Sequence, residues 1–173
     1  MKKPKCRIKV TLKCNRNCGY CINKNEEYQR KLLPCTGLQS IDFSLYRTVI
    51  ISGGEPTYLG PGILGLYAKT IRENTPLNVP IYLQTNGFAL HKKLVKQIDD
   101  YIDGIGLSIH DFKEFDILRT RYKDILRIKP IRLYIQEGRI DPIIVRGLPK
   151  DGFTTRIWRD GEFDKTEEIY VLS

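Results

Sequence analysis

The chain has 173 residues, of which 41% are apolar, and a formal net charge of +9. That length fits one domain, residues 1–173, with a substantial core, and no apolar run approaches the roughly 18–20 residues that span a bilayer. Five cysteines, three of them within residues 14–21, suit a reducing, cytosolic compartment rather than a disulfide framework, and no apolar leader follows the basic start Met1-Lys2-Lys3-Pro4-Lys5.

Ile8, Val10 and Leu12 alternate with Lys9, Thr11 and Lys13, which predicts a first strand. A polar stretch around Asn25 to Leu33 reads as helical and is broken by Pro34; Ser40 is placed to cap a short helix running to Tyr46. Thr48 to Ser52 is a second strand, ended by Gly53-Gly54. Pro61 opens a helix to Asn74 with Ile63, Leu64, Tyr67 and Ile71 on one face. Val79 to Thr85, Gly104 to Ile109 and Ile131 to Gln136 are further strands, separated by helices at Leu90 to Tyr101 and Phe115 to Ile128. This alternation predicts a parallel sheet with crossover helices over a core of residues 6–136. In the tail, Ile143 to Val145 offers a sixth strand and Asp160-Gly161 a short C-terminal hairpin.

The strands carry a second signal. Parallel strands covered on both faces read as continuous apolar runs. Here Ile81 and Leu83 alternate with Tyr82 and Gln84, Ile105 and Leu107 with Gly106 and Ser108, and Ile131 and Leu133 with Arg132 and Tyr134. With period two, one face suits packing against helices. The other is polar or glycine, and predicts a lined cavity.

Cys14, Cys18 and Cys21 form a CxxxCxxC array on a polar loop just past the first strand. Thiolates at this spacing can converge on one centre, and sulfur ligands select zinc, copper(I) or iron–sulfur clusters. Structural zinc and cuboidal clusters usually take four ligands. Three would leave one metal position open for chemistry, unless Cys6 or Cys35 closes a zinc knot.

The loop, with Tyr20 before its last cysteine, resembles the cluster-binding signature of the radical S-adenosylmethionine (radical SAM) family. The resemblance continues in order through Gly53-Gly54-Glu55-Pro56, Thr85-Asn86-Gly87 and Ser108-Ile109-His110. It implies an α/β fold, a partial (β/α)5–6 TIM-like barrel open on one side. It implies a [4Fe–4S] cluster on Cys14, Cys18 and Cys21 whose fourth iron takes S-adenosylmethionine (SAM). Reductive cleavage of SAM would then give a 5′-deoxyadenosyl radical that abstracts hydrogen from substrate.

The same resemblance assigns cofactor contacts. Gly53 and Gly54 would let backbone approach the methionine amino group, although a tight turn also explains them. Glu55 would contact the same ammonium or stand exposed, and Tyr20 would pack near adenine or serve as a loop aromatic. Thr85 and Ser108 lie where the family holds the cofactor. His110 shares that inner face, with a purely structural role as the alternative. By strand parity Asn86, Gln84, Arg132 and Tyr134 face the substrate. An inward guanidinium suits a carboxylate or phosphate, or else an internal ion pair with Glu137 or Asp103.

The leading functional expectation is a radical SAM enzyme, an oxidoreductase or lyase acting on a small anionic molecule, with deazapurine-synthase-like chemistry conceivable. The alternatives are a glycyl-radical activating enzyme and a non-catalytic zinc or iron–sulfur module. Residues 1–35 carry ten Lys or Arg against Glu26 and Glu27, while the rest of the chain has 19 basic and 18 acidic side chains. Such a field would steer an acidic electron donor, flavodoxin or ferredoxin, towards the metal loop, or be a solvated face only. A nucleic-acid partner stays open, with no basic–aromatic motif behind it.

Overall fold

The computed structural model describes residues 3–125, 128, 130–136, 153–159 and 163–172. Its strands are β1 (Lys5–Lys9), β2 (Leu32–Cys35), β3 (Val49–Ser52), β4 (Ile81–Thr85), β5 (Gly104–Ile109), β6 (Ile131–Gln136), β7 (Phe153–Trp158) and β8 (Glu167–Leu172). Its helices are α1 (Glu26–Gln29), α2 (Gly60–Glu73), α3 (Lys92–Ile98) and α4 (Phe112–Ile125). One parallel sheet joins every strand in the order β2-β8-β1-β3-β4-β5-β6-β7, and its two edges, β2 and β7, do not pair with each other. The α/β expectation with an open, barrel-like sheet therefore holds.

The period-two reading accounts for the core. Cys6, Ile8, Val49, Ile51, Ile81, Leu83, Ile105, Leu107, Ile131 and Leu133 are all at most 1% exposed and form one cluster with the inward faces of the helices. On α2 the buried residues are Leu64, Gly65, Ala68 and Ile71, whereas Ile63, expected inward, is 52% exposed. Leu94, Val95 and Ile98 of α3 are buried as their spacing requires.

Two stretches before β3 depart from the sequence reading. The helix expected to Leu33 stops at Gln29, and residues 32–35 form an edge strand. Pro34 is tolerated there because an edge strand need not donate on both sides. In place of a capped helix from Ser40 there are two 3-10 turns, Leu38–Ser40 and Phe43–Leu45.

The tail departs most. Asp160-Gly161 and Ile143 to Val145 lie outside the described residues, but the strands flanking the expected hairpin do not pair. β7 adds parallel to β6, while β8 crosses to the far side and inserts, also parallel, between β1 and β2. The physical reason is the open edge of β1, which would otherwise leave a row of backbone donors and acceptors unpaired. Charge selects the partner. Lys3 pairs with Glu168 at 2.6 Å, Lys5 with Asp164 at 2.7 Å and Arg7 with Glu167 at 2.7 Å.

Just past the C-terminal ends of β1 and β3 two backbone segments touch. Gly54 N donates to Thr11 O and Glu55 N to Lys13 O, both at 2.8 Å. A Cβ on Gly53 would fall under 3.0 Å from Thr11 O, and one on Gly54 under 3.0 Å from Leu12 O and Lys13 O. Gly53 also has φ +151°, which disfavours any side chain.

Two measurements check this account. Glu167→Gln should lower stability by about 3–5 kcal/mol in urea unfolding, because it strands a mostly buried guanidinium, whereas Arg7→Met with Glu167→Leu should recover most of the loss. Gly54→Ala should displace the Thr11–Lys13 segment and reduce iron uptake by the metal loop. Gly62→Ala on α2, where nothing lies within 4 Å, should leave uptake unchanged and gain roughly 0.5–1 kcal/mol.

Candidate functional site

The site is built on the loop between β1 and the 3-10 turn Ile22–Lys24. This loop carries Cys14, exposed, and Cys18 and Cys21, half-buried, all with free thiols. Arg16 N donates to Cys14 Sγ at 3.4 Å, and Cys21 N to Cys18 O at 3.3 Å. Burial pushes the Cys14 thiol up, the Arg16 N–H opposes the shift, and the charges of Glu55, Cys21 and Cys18 add to it. No three His, Cys, Asp or Glu side chains among the described residues are gathered into a ready-made metal centre. Soft, partly exposed thiolates on an irregular loop fit an iron–sulfur cluster that draws them together. Cys6 and Cys35, 0% and 3% exposed, belong to the core and not to this loop.

Four braces hold the loop. The first is the glycine contact of Gly53-Gly54 with Thr11–Lys13. The second is Glu55, whose side chain is neither exposed nor open to a ligand from solvent, being 1% accessible. Its carboxylate accepts from Thr57 N at 3.0 Å, Thr57 Oγ1 at 2.7 Å, Thr85 Oγ1, and Asn86 N at 2.7 Å. It thereby locks the ends of β3 and β4 together. Third, Asn86 Nδ2 donates to Asn15 Oδ1 at 3.0 Å, carrying that lock to the metal loop, while Gly87 at φ +79° turns the chain away.

The fourth brace is ionic. Arg16 reaches Asp111 at 2.9 Å and Glu114 at 2.8 Å, and Glu114 accepts from His110 N at 2.6 Å while lying 3.0 Å from His110 Nδ1. Tyr20 packs on the His110 ring with centroids 5.9 Å apart. Burial pushes the Asp111 carboxyl up, but the Glu114 N–H and the Arg16 guanidinium together outweigh it and hold the group below the usual carboxylate range.

On the inner face Ser108 is half-buried, and its hydroxyl makes no hydrogen bond with a described residue. Arg132 is exposed, and its guanidinium has no hydrogen bond or ion pair to a described residue. Asp103, one expected ion partner, is taken by Arg72 and Ile81 N; Glu137 lies outside the described residues. The partly buried arginine on this face is Arg7, which bonds Glu167 and, at 2.6 Å, Gln84 Oε1. Tyr82 lies over Gly104 and Tyr134 over Gly106, where a Cβ would meet each ring. The lined cavity inferred from parity is thus partly filled by the protein's own side chains.

Sequence reasoning passed over Arg7 and Lys9, although the parity argument already places them inward. It also read the N-terminal charge as a field around the cysteines. Lys3 and Lys5 lie at the opposite end of β1 and are paired with β8, and Arg16 is engaged by Asp111 and Glu114.

Residues 8–136 match the profile of the Radical SAM superfamily. The chain is 27% identical to GTP 3′,8-cyclase of Helicobacter pylori strain J99 over 158 residues, covering 84% of this chain and 48% of that protein. It is 26% identical to GTP 3′,8-cyclase of Chlorobaculum tepidum over 177 aligned positions, covering 96% of this chain and 52% of that protein. The chain thus spans about half the length of the curated relatives it matches. Its fold is similar to the solved structure of polyhistidine-tagged anSMEcpe with bound AdoMet, with a TM-score of 0.61 at 16% identity over 91% of this chain and 50% of that one. Among the described residues no helix is long and apolar enough to cross a membrane. The chain belongs to the radical SAM superfamily, whose members use a [4Fe–4S] cluster and S-adenosylmethionine.

Proposed function

We propose that this single-domain chain is a radical SAM enzyme that binds the cluster through Cys14, Cys18 and Cys21 and takes a small anionic substrate at Arg132. When bound, the cluster and SAM supply the 5′-deoxyadenosyl radical that abstracts a substrate hydrogen. The observation that carries the substrate class is the contrast between two arginines on one sheet face. Arg7 is neutralised by Glu167, while Arg132 stands exposed without a described partner. A planar guanidinium in that state suits a carboxylate or phosphate.

Gly53 and Gly54 bring backbone close to the loop, and the Ser108 hydroxyl faces the cofactor. Thr85 and Asn86 act through Glu55 and Asn15 to keep the loop in place. His110 and Tyr20 form the wall beside it. Arg16 contributes through its ion pairs. An acidic donor such as flavodoxin or ferredoxin would dock beside Leu12, 60% exposed, and the exposed Lys13. The relatives named GTP 3′,8-cyclase make a purine nucleotide the first substrate to try, and its phosphates satisfy the same requirement for an anion.

Reconstituted anaerobically, the protein should bind about four irons and cleave SAM when reduced, and replacing the three loop cysteines together with Ala should abolish both. Uptake of zinc alone would sink the reading. Arg132→Leu should leave iron content and SAM affinity nearly intact. It should weaken binding of the anionic substrate, tested first with GTP, about 10- to 150-fold, as expected for a lost charge-assisted hydrogen bond of roughly 1.5–3 kcal/mol. Loss of SAM affinity instead would assign Arg132 to the cofactor.

A further inference from the structure

Lys9 is the last residue of β1, and its side chain lies on the inner face only 1% exposed. A buried ammonium is costly unless it is paired. Its companion Arg7 has Glu167, but no Asp or Glu among the described residues lies within ion-pair distance of Lys9. Nζ donates to Asn23 Oδ1 at 2.6 Å and sits 4.5 Å from the centroid of the Tyr28 ring. Tyr28 is itself 3% exposed and is backed edge-on by Phe163 at 5.3 Å. The amide of Asn23, two residues beyond Cys21, is oriented by this bond so that Nδ2 reaches Gly53 O at 3.3 Å.

Burial and the Arg7 charge push the Lys9 ammonium down to about 8, and the charge that opposes this is that of Cys21. The amine is thus held, by an aromatic face and a hydrogen bond to Asn23, against the segment that leaves Cys21 and meets Gly53. Neither contact that holds it supplies a full negative charge.

We propose that Lys9 is a built-in counter-cation for the cluster: a positioning residue whose charge stabilises the negatively charged, thiolate-bound group and favours its one-electron reduction. Three thiolates give the loaded site a net negative charge, and reduction by an external low-potential carrier adds one more electron. A desolvated cation nearby offsets that gain where water cannot, because the interaction is little screened. Through Asn23 the same ammonium also fixes the Gly53 carbonyl beside the metal loop. The inference rests on the loop holding a [4Fe–4S] cluster.

Lys9→Met keeps the length of the side chain and removes the charge, whereas Lys9→Arg keeps the charge. The wild type and both variants are reconstituted anaerobically, their iron and sulfide counted, and their reduction followed by a potentiometric titration monitored by electron paramagnetic resonance. At the potential where wild type is half reduced, loaded Lys9→Met should have a reduced-to-oxidised ratio roughly tenfold lower, equivalent to about 59 mV, and Lys9→Arg should lie close to wild type. An unchanged midpoint in loaded Lys9→Met overturns the proposal while leaving the cluster reading intact. Wild type that takes up zinc and no sulfide overturns both.

If Lys9→Met fails to load, urea unfolding of the metal-free proteins decides. An ammonium waiting for its counter-charge destabilises the empty fold, so Lys9→Met should then unfold at higher urea than wild type. Unfolding at lower urea would make Lys9 a packing residue and overturn the proposal.

Discussion

The functional end of this protein depends on two backbones touching where no side chain can fit between them. Gly53 and Gly54 lie against Thr11 to Lys13, and two hydrogen bonds of 2.8 Å close the contact. The loop that follows Thr11 has little regular structure of its own up to Ile22. An irregular loop loses conformational entropy for every residue it orders, so its shape has to be imposed from outside. The glycines fix its start against β3. Glu55, next in sequence, then fastens the end of β3 to the end of β4, and Asn86 returns the connection to Asn15. Arg16 adds β5 and α4 through Asp111 and Glu114. The C-terminal ends of four strands are thereby joined in a ring around the cysteines. That ring explains why so many polar residues of the family motifs face one another.

Charge organises the other end. The basic positions of β1 and its approach meet the acidic positions of β8 and its approach: Lys3 with Glu168, Lys5 with Asp164, Arg7 with Glu167. The Lys5 ammonium and the Thr166 hydroxyl hold Asp164 well below the usual carboxylate range. A carboxylate with a depressed pKa contributes stability above its unfolded value near 3.8 and loses it as pH falls through the folded value. The docking of β8 should thus persist through neutral and mildly acidic pH and weaken only in strong acid. Lys3 and Lys5 are partly exposed, so their pairs act less as a source of energy than as a key that tells β8 which edge to take.

Period-two alternation found β4, β5 and β6, and the buried parity of Ile81, Leu83, Ile105 and Ile131 follows it residue by residue. Spacing alone singled out the three cysteines, and Gly-Gly and Asn-Gly marked the strand ends where the loops leave the sheet. The place of β8 was not legible, because Arg7 and Glu167 are 160 positions apart and a strand's own pattern does not name its neighbour. Pro34 misled for a different reason: it breaks a helix but also sits comfortably on a sheet edge. Glu55 could not be read from sequence as buried, since a carboxylate is buried only when several donors from other segments converge on it, and Thr57, Thr85 and Asn86 do so only once folded.

The inner face of the sheet ends up divided along its width. Towards β8 and β1, Arg7, Glu167 and Gln84 satisfy one another and are largely shut off from water. In the middle, Tyr82 and Tyr134 cover Gly104 and Gly106, so the glycines make room for rings rather than for a ligand. Towards β6 and β7 the face opens, with Arg132 and Thr154 exposed. A dissolved anion gains most where positive charge is exposed but not already neutralised, and least where an ion pair would have to be broken first. The asymmetry supports the proposed placement of substrate on the β6 side, with the buried amine of Lys9 on the β1 side near the cysteine loop. Two cationic regions of one face thus differ in what each has for a partner: an ion pair for Arg7, a neutral amide and an aromatic ring for Lys9, and no described side chain for Arg132.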